Sequence, residues 1–262
     1  MDYLGYGFAL VIGLVLGLTG GGGSILTVPV LVYIMHLDAV SATAYSLFIV
    51  GTTSVFGTIQ NHRKGLVALR TGVMFALPSL AGVFLVRKFA IGAIPDVIFV
   101  SPDFTLTKNG LLMMVFAVIV FPVGLSMLRK PKSNNNLTKP NRSPVLVSVQ
   151  LFLAGALVGL VGAGGGFLFT PLLLYVGGME IKKAAATSLV IIAINSLVGF
   201  ASSLSNIVID WSFLLSFTAL SVVGIFIGIY CAGYINETQL KKGFAWFVLS
   251  MAVLILGKEL LP

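Results

Sequence analysis

Residues 41–61, 111–128, 184–204 and 211–234 carry no charged side chain. Each run is close to the roughly 20 apolar residues that a helix needs to cross a bilayer. A chain built of such runs has few ways to fold. The runs are continuous rather than alternating, so they predict spanning helices and not the strands of a membrane barrel. Composition agrees: 58% of the 262 residues are hydrophobic and 9% are charged, against about a quarter charged in soluble proteins. The fold class is an all-α polytopic membrane protein. The single cysteine, Cys231, excludes a disulfide framework. The net charge of +8 sits between apolar spans, so it reads as membrane orientation rather than nucleic-acid binding.

Two glycine knots interrupt the pattern. The first is Gly17-Leu18-Thr19-Gly20-Gly21-Gly22-Gly23-Ser24, followed by Pro29. The second is Gly159-Leu160-Val161-Gly162-Ala163-Gly164-Gly165-Gly166, followed by Pro171. Adding 142 to a position in the first half gives its partner in the second, without a gap, from Gly13/Gly155 to Phe84/Phe226. Paired prolines and serines (Ser46/Ser188, Ser54/Ser196) keep the same register. The predicted organisation is a first transmembrane repeat over 1–128, a basic cytoplasmic linker over 129–144, and a second transmembrane repeat over 145–262. Residues 90–107 carry Pro95, Asp96, Pro102 and Asp103 and read as an interfacial excursion.

Each knot-bearing segment is too long for one span, and its arms are short for two. It is either one broken spanning helix or a hairpin that returns to its own side. Charge favours the hairpin. It collects Arg63, Lys64, Arg70, five linker cations, Lys182, Lys183, Lys241 and Lys242 on one side. Arg87, Lys88, Lys108 and Lys258 fall on the other, a split of 12 against 4. The single-span alternative gives 9 against 7, and short-loop bias in membrane proteins is strong. The halves then become inverted-topology repeats, each a glycine-broken helical hairpin plus three spanning helices. The linker is cytoplasmic and both termini are outside. A re-entrant hairpin and two short full spans both satisfy the charge pattern.

Non-helical backbone at membrane depth is tolerated where protein buries it or where it lines a wet cavity. Glycine amides at the start of a helical arm form a donor nest at the positive end of a dipole. Such ends favour anions. The candidate substrate-binding residues of the first half are Thr19, Gly20, Gly21, Gly22, Gly23 and Ser24, with Ser46 and Thr53 on the next span. Those of the second half are Gly162, Gly164, Gly165 and Gly166, with Ser188 and Asn195 on the matching helix face. The plain alternative is that small residues let helices pack closely. Neither knot carries the Gly-Lys-Ser/Thr of a phosphate loop.

No Asp or Glu falls mid-span, so a carboxylate relay for protons or a cation cage is not expected. Asp38 and Glu180 read as helix caps. Arg70 and Arg87 bracket one span and read as snorkelling anchors, with substrate steering as the alternative. No metal site, catalytic set or cofactor is expected, and the chain does not read as an enzyme. Expected partners are a small anionic substrate and membrane lipid, with no nucleic acid; a homodimer is compatible with the sequence.

The duplicated Gly-Leu-x-Gly-x-Gly-Gly runs with their prolines, and Ala44-Tyr45-Ser46-Leu47 with Ala186-Thr187-Ser188-Leu189, carry a resemblance. They resemble the sulfite exporter TauE/SafE family, also called the toluenesulfonate uptake permease group. The likeness covers most of both halves but not the linker or 90–107. It implies a secondary transporter of a prokaryotic cytoplasmic membrane that exports sulfite, sulfoacetate or related organosulfonates. Other members are associated with different organic acids. The physics fits export, because a negative interior favours anion efflux by roughly 2.3 kcal/mol per charge per 100 mV. Alternating access would rock the halves about the paired knots near the midplane. The rival functions are a permease for another small organic anion or carboxylate, and a non-transporting membrane scaffold subunit.

Overall fold

The computed structural model describes residues 2–101, 104–128, 143–232, 234 and 237–260. In chain order the first half contains α1 (Asp2–Thr19), α2 (Gly22–Ile34), α3 (Ala39–Arg63), α4 (Leu69–Ala93), a hairpin of β1 (Val97–Ser101) and β2 (Phe104–Thr107), and α5 (Lys108–Leu128). The second half contains α6 (Pro144–Val161), α7 (Gly166–Tyr175), α8 (Ile181–Ser203), α9 (Trp211–Cys231) and α10 (Glu237–Leu260). Among the described residues α3, α4, α6, α8 and α9 are long and apolar enough to cross a membrane. The predicted linker lies almost wholly outside the described residues.

Local chemistry explains the helix ends. Asp38 accepts a hydrogen bond from the Ser41 amide at 2.9 Å and starts α3, which satisfies one of the orphan donors of its first turn. Glu180 holds the same place before α8, but its side chain makes no capping bond. Asp210 caps α9 through the Phe213 amide at 3.1 Å. The excursion over 90–107 is partly a β-hairpin, with Val100 opposite Thr105 and Ser101 opposite Phe104. The shift of 142 would place these strands within α10, so the duplication ends before them.

Close backbone approaches fix how the helices run. On α1, a Cβ at Gly13 would lie 1.9 Å from the Ser221 carbonyl oxygen, and one at Gly17 would lie 2.5 Å from that of Ile225. So α1 runs parallel to α9, nearly backbone to backbone. The contact recurs with the halves exchanged: Gly155 of α6 meets Ser79 of α4 at 1.9 Å, and Gly159 meets Val83 at 3.1 Å. At these positions the plain alternative holds, and small residues serve close packing. Between the long helices, Gly51 lies against Leu197 while Gly57 meets Leu189 and Gly199 meets Leu47. Thus α3 and α8 are antiparallel, and they form the centre. Leu47, Ile49, Val50, Leu189, Ile191 and Ile192 are all fully buried. On α4, by contrast, Met74 and Leu77 are each 62% exposed, an outward apolar face suited to lipid.

Two hydrogen bonds repeat the exchange. The Tyr45 hydroxyl accepts from the Asp210 amide at 2.6 Å. Thr187 Oγ1 accepts from the Ala68 amide at 3.1 Å. Tyr45/Thr187 and Ala68/Asp210 are pairs in the register of 142. Each bond ties the start of a central helix to the segment entering the fourth helix of the other half.

Candidate functional site

Both knots are turns. Gly20 and Gly21 have φ of 66° and 116°, and Gly162, Gly164 and Gly165 have φ of 70°, 66° and 80°. These left-handed values suit glycine and strain any residue with a Cβ. In the first half, α1 ends at Thr19 and a short 3-10 turn, Gly22–Leu26, opens α2. In the second, α6 ends at Val161 and α7 begins at Gly166.

Each turn rests on the central helix of the other half. Gly20 presses on Ala185 and Gly21 on Ile192, both of α8. Gly162 presses on Thr43 and Gly164 on Val50, both of α3. The turns also meet each other: a Cβ on Gly166 would fall 2.3 Å from the Gly21 carbonyl carbon and oxygen. Side chains at the junction would push the halves apart.

The expected donors divide. The amides of Gly20 and Gly21 bond to the Leu16 carbonyl, and that of Ser24 bonds to the Gly21 carbonyl. The Gly162 amide is taken by Val158 and the Gly165 amide by Ala163. Thr19 is a brace, since Oγ1 donates to the Val15 carbonyl at 2.8 Å and accepts from the Gly23 amide at 3.2 Å. Ser24 Oγ donates to the Gly21 carbonyl at 2.8 Å. Gly23 itself serves packing, 2.5 Å from the Leu16 nitrogen by its absent Cβ. Among the described residues the amides of Gly22, Gly164 and Gly166 enter none of these turn bonds.

Of the polar stripes and their neighbours, Ser188 and Ser196 lie against the turns. Ser188 Oγ donates to the Gly20 carbonyl at 2.6 Å and accepts from Thr170 Oγ1 at 3.0 Å. Its counterpart Ser46 is fully buried, and its Oγ has no hydrogen-bond partner among the described residues. Thr53 Oγ1 is likewise buried without a partner. Asn195 donates from Nδ2 to Ser79 Oγ at 2.7 Å, while its Oδ1 has none. Two further hydroxyls, Ser54 and Ser196, are fully buried and have no partner among the described residues. Ser196 Oγ lies 3.4 Å from where a Gly164 Cβ would stand. Ser54 and Ser196 were legible only as a repeat pair; their place one residue past Thr53 and Asn195 is the signal that would have found them. A buried hydroxyl left unbonded costs about 1–3 kcal/mol. Close packing alone does not explain a cluster of them, because alanine would pack without that cost.

Arg87 corrects the expectation of a snorkelling anchor. Its side chain is 2% exposed. It is held inside by α4, whose Val83–Val86 turn packs on Gly159 of α6. Nη1 donates to Thr43 Oγ1 at 3.2 Å, and Nε and Nη2 have no partner among the described residues. The neighbouring Lys88 is exposed, with Nζ 5.3 Å from the Phe84 ring centre. Among the described residues no group of three or more His, Cys, Asp or Glu could hold a metal ion.

This arrangement of two facing glycine turns and buried hydroxyls belongs to a chain with known relatives. A probable membrane transporter protein of Xylella fastidiosa is 28% identical over 95% of this chain and 92% of its own length. YunE of Bacillus subtilis, also a probable membrane transporter protein, is 24% identical over 96% of this chain and 94% of its own. A third such protein, from Methanocaldococcus jannaschii, is 31% identical over 42% of this chain and 43% of its own. No solved structure matches. The family model for the sulfite exporter TauE/SafE matches residues 6–255, and both glycine turns lie within that match. With its turns, its polar stripes and almost its whole length inside the match, this chain belongs to the sulfite exporter TauE/SafE family.

Proposed function

We propose that this transporter-family protein exports small sulfur-containing anions, such as sulfite, sulfoacetate or related organosulfonates, by alternating access. The observation that carries the reading is the junction of Gly21 with Gly166 beside hydroxyls that are buried and have no partner among the described residues. The anion is held near the midplane by the Gly22, Gly164 and Gly166 amides, with Ser46, Thr53 and the second Nδ2 hydrogen of Asn195 as side-chain donors, while Ser188, its hydroxyl given to the Gly20 carbonyl, braces the first turn. The remaining turn residues, Thr19, Gly20, Gly21, Gly23, Ser24, Gly162 and Gly165, shape the nest. The halves over 1–128 and 145–262 act as inverted repeats. Antiparallel α3 and α8, and the exchanged Tyr45–Asp210 and Thr187–Ala68 bonds, support that inversion. The linker faces the cytoplasm and the termini lie outside a prokaryotic cytoplasmic membrane. The membrane potential then drives efflux, about 2.3 kcal/mol per charge per 100 mV.

Efflux from proteoliposomes loaded with sulfite, sulfoacetate, taurine or acetate tests the reading. The expected result is protein-dependent sulfite or sulfoacetate efflux that rises when the compartment holding the anion is made negative. Acetate moving faster than either sulfur anion would assign a carboxylate permease instead. No flux of any of the four would leave the scaffold reading standing.

A further inference from the structure

We propose that Arg87, Thr43 and the Gly162 turn form a second oxyanion site, present in one half only, which receives the anion on the side away from the linker. The guanidinium edge gives the chemistry. Nη1 is spent on Thr43 Oγ1. The two nitrogens without a partner among the described residues are Nε and Nη2. These two lie on the same edge of the guanidinium plane. Their N–H groups point side by side, the fork that grips two oxygens of one carboxylate, sulfonate or sulfite. A single-atom anion such as chloride can only bridge the two donors, whereas an oxyanion places one oxygen on each.

Among the described residues the charge has no counter-ion. The side chain is 2% exposed, and its one hydrogen bond among the described residues runs to a neutral hydroxyl. A buried cation persists in proteins when it is paired or when it awaits a charged ligand. Nη2 reaches to 2.6 Å from the place a Cβ on Gly162 would occupy, so the fork lies directly against the second turn. Thr43 Oγ1 donates onward to the Val40 carbonyl at 3.0 Å and is fixed as an acceptor.

The duplication makes the site one-sided. In the register of 142, Arg87 corresponds to Ile229 and Thr43 to Ala185. The first turn therefore meets a methyl group where the second meets a hydroxyl and a guanidinium: Gly20 packs on Ala185, and Gly162 on Thr43 and Arg87. The buried guanidinium thus has no buried counterpart in the other half, where the cation is the exposed Lys64, whose Nζ donates to the Ile229 carbonyl at 3.5 Å. An anion leaving the central turns meets an open guanidinium fork on one side, and on the other the Ser188 hydroxyl, already given to the Gly20 carbonyl. That sidedness in transport rests on the export reading; the binding site itself does not.

Sulfite binding to the purified full-length protein in detergent separates the two. Titration calorimetry at constant ionic strength, with chloride as the balancing anion, is run on wild type, Arg87→Gln, Arg87→Lys and Thr43→Val. Arg87→Gln is expected to weaken or remove one class of sulfite sites by at least tenfold. Arg87→Lys, which keeps charge but loses the fork, is expected to fall between. A purely structural Arg87 would change the melting temperature and leave the sulfite affinity alone. If Arg87→Gln does not fold, Arg87→Lys and Thr43→Val decide. Wild-type affinity in every variant that folds overturns the site. Sulfite binding that depends on Arg87, in a protein that moves no sulfur anion in liposomes, overturns the export reading and keeps the site.

Discussion

Thr53 shows what a single side chain contributes. It is 1% exposed, and its hydroxyl has no partner among the described residues. Valine has nearly the same shape and lacks the hydroxyl, so Thr53→Val removes an unsatisfied polar group at little steric cost. The variant is expected to gain about 1 kcal/mol of stability, read as a higher melting temperature in detergent. If the hydroxyl serves the anion, sulfite efflux falls at least tenfold in the same variant. A more stable protein with unchanged flux would make Thr53 a passive core residue. The two caps give a second contrast at this scale. Asp38 bonds the Ser41 amide while Glu180 bonds none. Asp38→Ala is therefore expected to cost about 1 kcal/mol, and Glu180→Ala close to nothing, in parallel thermal melts.

At the scale of elements, the paired glycines do two different jobs, and the sequence alone does not sort them. Gly13 and Gly155 sit inside helices and let α1 approach α9, and α6 approach α4. Either one replaced by valine would drive carbon to within 1.9 Å of a carbonyl oxygen on the partner helix. Gly13→Val and Gly155→Val are expected to lose the folded protein, seen as aggregation on size-exclusion chromatography. Gly7 has nothing within 4 Å of its absent Cβ, so Gly7→Ala is expected to stabilise α1 by up to about 1 kcal/mol. The turns at 20–24 and 162–166 were legible because runs of glycine cannot continue a helix and recur in register. Ser46 and Asn195 were legible because helical spacing puts them on one face. The burial of Arg87 was not. A cation at the end of an apolar run reads as an anchor, and Lys88 beside it is exposed. Which of the two turns inward depends on the packing of α4 on α6 and α8, a relation between segments far apart in sequence. The hairpin over 97–107 was hidden for another reason: prolines and aspartates signal a break without saying what fills it.

For the whole molecule, the direction of every helix bears on one measurable fact, the side on which each loop emerges. The start of α4 follows closely on the end of α3, across Lys64–Ala68, and α6 runs parallel to α4. The linker, which precedes α6, therefore leaves on the side where α3 ends. Antiparallel packing puts the start of α8 on that same side. The loop between α8 and α9, which carries the 94% exposed Val208, then emerges on the opposite side. If each knot-bearing segment were instead a single broken span, the linker and Val208 would emerge together. Single-cysteine labelling separates these cases, since Cys231 is the only native cysteine and Cys231→Ser clears the background. Val208→Cys is expected to react with a membrane-impermeant maleimide in intact cells. Ser133→Cys, in the linker, is expected to react only after the membrane is permeabilised. Labelling of both from outside would contradict the inverted repeat. Reversed labelling would keep the inversion but turn the molecule over, and would place Arg87 on the cytoplasmic side. The guanidinium would then stand at the entrance to the export route rather than at its exit, where it would concentrate the anion before transport.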